Sequence, residues 1–173
     1  MMEKFNKIIE TRSFERVGSL LVVKDKNFQE EVVRSHSLTG LTFAHLTFLN
    51  CSFIDIDFRQ SYFVSCDFTN CNFPETPFAK SELYDCNFNN CTISKSDLAR
   101  ANFTENNFKD CQFDRVYMTG AVFTQCEFIK TTFKNVHFLK SVTLSKSKIW
   151  NSKKCIEVNA FDDVSKIVDD LRE

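Results

Sequence analysis

Glycine and proline are nearly missing from this chain, with three Gly and two Pro among 173 residues. So few glycines leave no material for a glycine-built phosphate loop, and neither GxGxxG nor GxxxxGK[ST] occurs. Long apolar runs are also missing. None approaches the ~20 residues of a membrane helix, and the polar start lacks the apolar stretch of a signal peptide. A cytoplasmic protein without a membrane partner is therefore expected. An excess of either charge is lacking too: the net charge is −1, whereas a general nucleic-acid binder carries a basic stripe. Direct nucleic-acid binding is not expected. Histidine is scarce, with only His36, His45 and His137, and no HExxH or GxSxG surrounds them.

Phenylalanine is the opposite case, at twenty residues, and 43% of the chain is hydrophobic, enough for a real core. From Leu38 to Phe138 every fifth residue is apolar, in a series that runs through Phe43, Phe48, Phe53, Phe58, Phe63, Phe68, Phe73, Phe78 and Leu83. Sixteen of the twenty Phe fall in this single phase. A period of five rotates an apolar position by ~140° on a helix and alternates faces on a strand. The chain must instead turn a corner every five residues. Two residues before most centres sits a small residue, such as Cys51, Ser61, Cys66, Cys71, Thr76 or Ala101. Two residues after them, Gly, Asn and Asp are frequent, as in Gly40, Asn50, Asp55, Asn70 and Asp85. Those types best tolerate the positive φ of a tight turn.

The stretches CSFID, CDFTN, CNFNN, SDLAR, ANFTE and CEFIK resemble the unit of the pentapeptide-repeat family over about residues 36–140. The resemblance implies an all-β solenoid, a right-handed quadrilateral β-helix with four pentapeptides per coil and about five to six coils. Cysteines recurring at twenty, as in Cys51, Cys71, Cys91 and Cys111, fit that count. Residues 1–35 are expected to form an N-terminal cap segment, with Leu20 to Val23 as a buried strand; 36–150 form the β-helix and 151–173 a C-terminal cap. After Phe138 the phase slips by one residue to Leu144 and Ile149. Phe161, Val164, Ile167, Val168 and Leu171 repeat at helical spacing, which predicts a short amphipathic helix over the open last coil. Relatives often pair through this end, so the same stripe is a candidate homodimer contact.

Cys66, Cys71, Cys86 and Cys91 form C-x4-C-x14-C-x4-C, a thiolate set suited to Zn²⁺. Against this, seven of the eight Cys occupy the small slot that Ser, Thr and Ala fill elsewhere, where Cys serves as a small hydrophobe. No metal, cofactor or disulfide is expected. Asp55, Asp57, Asp67 and Asp110 fall in turns, where capping outweighs acid–base work. With an interior filled by Phe, no deep substrate pocket is expected, and the chain reads as non-enzymatic.

What remains is a surface. Sorted onto four sides, the outward residues of the Leu38–Phe58–Phe78 side carry net charge +2 and those of the Phe43–Phe63–Leu83 side −3. The latter combines Tyr62, Val64 and Tyr84 with Glu82, Asp85 and Glu105. Tyrosines among carboxylates are typical of interfaces and favour a basic partner. The expected function is a non-catalytic protein-binding or scaffold module with those six residues as its contact site. The resemblance implies an alternative, a DNA-mimic modulator of DNA gyrase or topoisomerase IV acting in quinolone or toxin protection or self-immunity. Residues 36–140 hold eleven acidic and nine basic residues. A duplex of ~25 Å carries roughly fifteen negative charges, so the electrostatic match to DNA is poor.

Overall fold

The turns come first, because they set everything above them. In the computed structural model, which describes residues 4–136, 142–150 and 155–158, the residue two after each centre lies in the left-handed region. Its φ is 53° at His45, 55° at Asn50 and Asp55, 59° at Gln60 and 60° at Lys80. The conformation appears whatever the residue type, so Lys, Arg, Gln and Glu take it as well as Asn and Asp. One such corner per five residues leaves three-residue strands between corners, for example Tyr62–Val64, Asp67–Thr69 and Asn72–Pro74 on three successive sides. The fourth side is closed by a turn in which the amide of Ser61 bonds the carbonyl of Phe58, repeated by Ser81 on Phe78 and Ala101 on Leu98. Gly40 and Gly120, with φ of 72° and 67°, lie at the corner of this turn, where a larger positive φ suits glycine best.

Strands pair in parallel with a register of twenty residues: Phe48 with Phe68, Phe68 with Phe88, Phe88 with Phe108 and Phe108 with Phe128. Four pentapeptides therefore make one coil, and about six coils stack into a parallel β-solenoid. In the Phe48 column, from Phe28 to Phe128, ring centroids lie 4.8–5.2 Å apart. Neighbouring columns meet edge to face, as Phe48 does Phe53 at 82°. Both geometries suit the aromatic quadrupole.

The small slot has a second task. Several polar occupants donate to a carbonyl of the coil below: Ser61 Oγ to Leu38 O at 2.7 Å, Thr76 Oγ1 to Phe53 O at 2.6 Å, Cys71 Sγ to Phe48 O at 3.5 Å. Asn106 fills the slot with an amide instead. It donates to Leu83 O at 2.8 Å and accepts from the Cys86 amide at 3.0 Å, so its burial leaves nothing unpaired.

At the N-terminal end, α1 (Phe5–Thr11) precedes a hairpin of β1 (Glu15–Val17) and β2 (Leu20–Gln29). Coil geometry already begins in β2, where Val23 pairs with Phe43 and Phe28 with Phe48. The expectation of a buried strand at Leu20–Val23 is half corrected. Val22 and Val23 are buried, whereas Leu20 and Leu21 are exposed, because only β1 lies against that end of β2. Phe5 plugs the base of the core with its ring 5.0–5.1 Å from Phe28 and Phe48. Glu31 holds it there: its carboxylate accepts the amides of Phe5 at 2.7 Å and Asn6 at 3.1 Å.

At the other end the one-residue slip is present, with Phe123 paired to Leu144 and Phe128 to Ile149. Ser147–Trp150 then pairs antiparallel with Cys155–Val158, which ends the parallel stack. The helix expected around Phe161, Val164, Ile167, Val168 and Leu171 lies outside the described residues.

Candidate protein-binding face

Because side chains alternate along each strand, the residues flanking a buried centre point outward. On the Phe43 side this forms two outward rows, one through Thr42, Tyr62, Glu82 and Asn102 and one through Ala44, Val64, Tyr84 and Thr104. Tyr62 pairs with Glu82, and Val64 with Tyr84. Tyr62, Val64, Glu82 and Tyr84 thus share one sheet face, and Asp85 and Glu105 stand at the corner row that bounds it. Tyr62 and Tyr84 are 42% and 47% exposed, among the most exposed large hydrophobic side chains described.

The acids here are held in place. Ser65 Oγ donates to Asp85 Oδ2 at 2.9 Å. The neighbouring Glu105 carboxylate raises the Tyr84 phenol above its usual range, by favouring the protonated hydroxyl as a donor and then by its charge. Sequence reasoning missed two cations. Lys80 and Arg100 were counted on the neighbouring side, yet they occupy the corner that this face shares with it, immediately before Glu82 and Asn102. The usable signal is the position two after the centre, which always belongs to two sides.

Paired polar groups also line the other sides. On the Phe48 side the amides bond one another, Asn90 to Asn70 to Asn50 and Asn107 to Asn87 to Asp67, at 2.8–2.9 Å. On the Phe58 side Arg59 Nη2 meets Asp57 Oδ2 at 2.6 Å and holds that carboxyl below the usual carboxylate range. On the Phe53 side Lys95 meets Glu75 at 3.0 Å. An open groove of about 500 Å³ lies at the N-terminal end between α1 and residues 35–41, lined by Ile9, Arg12, Phe14, His36 and Leu38. It qualifies the expectation that the fold has no deep pocket.

The four cysteines weighed as a metal set fall in two separate columns, Cys66 and Cys86 behind the Phe48 side, Cys71 and Cys91 behind the Phe53 side. Among the described residues no group of three or more His, Cys, Asp or Glu could hold a metal ion. Each sulfur faces backbone carbonyls, and burial pushes the Cys126 thiol up to about 12.

A pentapeptide-repeat-region profile matches residues 61–138, and the profile of the SV2A/B/C luminal domain matches residues 6–93. The two overlap inside the same five-residue phase. No curated protein matches the sequence. Among solved structures, the chain resembles HetL, a pentapeptide repeat protein involved in heterocyst differentiation regulation from the cyanobacterium Nostoc sp. strain PCC 7120. The two are 12% identical with a TM-score of 0.66, over 84% of this chain and 68% of that one. A trypsin-treated variant of QnrB1, a plasmid-mediated fluoroquinolone resistance protein, is 17% identical with a TM-score of 0.47, over 88% of each chain. A thylakoid-lumen pentapeptide repeat protein of Arabidopsis thaliana is 17% identical with a TM-score of 0.38, over 70% of this chain and 72% of that one. At 12% identity the likeness to HetL is one of fold. The unbroken five-residue phase, the twenty-residue coil built from it and the matching profile agree that residues 61–138 are a pentapeptide-repeat region.

Proposed function

We propose that the protein is a non-catalytic binding module whose rigid tower presents the Phe43 side to a protein partner. The observation that carries this reading is the pair of exposed tyrosines, Tyr62 and Tyr84, set around Val64 and bordered by Asp85 and Glu105. Tyrosine offers large contact area at low entropic cost, and carboxylates at the border steer a partner carrying cations over them. The sheet beneath is locked by two buried columns, so little ordering is left for the moment of binding.

Tyr62→Ala combined with Tyr84→Ala is expected to weaken partner capture at least ~10-fold with the fold intact, the loss of two interface anchors. Reversing Glu82 and Asp85 is expected to slow association mainly at low salt, because exposed charges are screened. A gyrase or topoisomerase modulator predicts instead that the purified protein alters DNA supercoiling. The near-balanced charge of residues 36–140, eleven acidic against nine basic, supports the binding-module reading over that one.

A further inference from the structure

We infer that the Phe43 side is self-complementary and that its occupant is a second copy of this chain, the two towers lying side by side and parallel. The inference rests on the reading of this side as an interface and names the partner.

Two corner rows of opposite charge flank the face. One holds Lys80 and Arg100, the other Asp85 and Glu105. Lys80 and Asp85 are the corners on either side of one strand, Glu82–Tyr84. Arg100 and Glu105 bracket the next, Asn102–Thr104. Each cation therefore stands at the height of an anion across the same strand. Neither the Lys80 nor the Arg100 side chain takes part in a hydrogen bond or ion pair among the described residues. Stacked one coil apart, they repel each other until an anion from outside reaches them.

A two-fold axis lying in the interface along the tower exchanges left and right at constant height. It sets Lys80 against Asp85 of the other copy and Arg100 against its Glu105, each pair occurring twice. The same operation matches the inner rows. Tyr62 meets Val64 of the second copy, Glu82 meets the Tyr84 hydroxyl, and Asn102 meets Thr104. An axis across the tower would instead set each charged row on its own kind. The charge pattern thus selects the parallel arrangement, and the contact closes on itself at two copies. Five rungs of a three-residue strand offer on the order of 1,000 Å² over both copies, the lower end of specific interfaces. A reversible dimer in the micromolar range follows.

The test is sedimentation equilibrium of the full chain from about 1 μM to 1 mM, a range set by that small area. Lys80→Glu with Arg100→Glu, and separately Asp85→Lys with Glu105→Lys, should each weaken self-association at least ~10-fold. Mixing the two variants should restore a heterodimer, because every like-charged contact then becomes an opposite one. Matched melting curves show that each variant is folded. A wild-type chain that stays monomeric throughout, a dimer unaffected by either reversal, or a mixture that fails to recover would each overturn the inference. If the chain is monomeric while Tyr62→Ala/Tyr84→Ala still loses a captured protein, only the identity of the partner is wrong. If that double variant changes neither self-association nor capture, the face is not an interface.

Discussion

Thr42 lies one coil below Tyr62, and its hydroxyl is the one buried side-chain oxygen without a hydrogen-bond partner among the described residues. An unpaired buried hydroxyl costs about 1–3 kcal/mol. Thr42→Val keeps the branched shape and removes the hydroxyl, so it should raise stability by about 1 kcal/mol in denaturant melts. An unchanged or lower midpoint would mean that the hydroxyl is satisfied in solution. The corners show a different kind of local cost. A left-handed conformation costs a non-glycine residue roughly 1–2 kcal/mol, yet Lys95, Arg100 and Arg115 all adopt it, at φ of 50°, 58° and 55°. The ladder on both sides of each corner outweighs that preference. This is why Gly, Asn and Asp at the corners were only a partial signal in the sequence.

At the scale of elements, a Phe column acts as one stacked body. Phe88 sits between Phe68 at 4.8 Å and Phe108 at 5.0 Å, with 1% of its surface exposed. Its neighbours are fixed by their own strands and can collapse little into a gap, so Phe88→Ala should cost about 3–5 kcal/mol. A loss below about 1 kcal/mol would contradict burial in a column. The columns were legible in the sequence because every coil asks for the same residue type at the same phase. The plug at the base was not. Its helix is seven residues long, Lys4 supplies no side-chain cap, and the cap comes from Glu31, twenty-six positions from Phe5. No local pattern carries that link. Glu31→Ala removes the acceptor of two helix amides and should lower stability by about 1–2 kcal/mol, with increased amide exchange in Phe5–Thr11. Unchanged exchange there would show that Phe5 seats itself without the carboxylate.

For the whole molecule, the buried Cys126 thiol sets an alkaline limit. Burial raises the Cys126 thiol to about 12, against about 8.5 in an unfolded chain. A raised folded value means that the stabilisation is complete below the unfolded value and is lost as pH climbs toward the folded one. By about pH 10 this single group removes about 2 kcal/mol. Cys126→Ser should flatten that decline, and parallel pH curves for the two proteins would refute the assignment. The binding face was legible in part. Phase arithmetic alone placed Tyr62, Val64, Glu82, Tyr84, Asp85 and Glu105 on one side. It divided the corners among the sides one by one, so Lys80 and Arg100 went to the neighbour, and the balance of charge across the face emerged only when the chain was folded.

The central claim is that one of four sides is the interface, and comparing the sides tests it most directly. Exposed or half-exposed pairs would be truncated on each in turn: Tyr62→Ala/Tyr84→Ala, Asn87→Ala/Asn107→Ala, Thr92→Ala/Gln112→Ala and Arg59→Ala/Asp97→Ala. Retention of bound protein would then be measured for all four at matched thermal stability. Only the first pair should reduce retention, by about 10-fold or more. An equal loss from another side, or no loss from the tyrosine pair, would contradict the account.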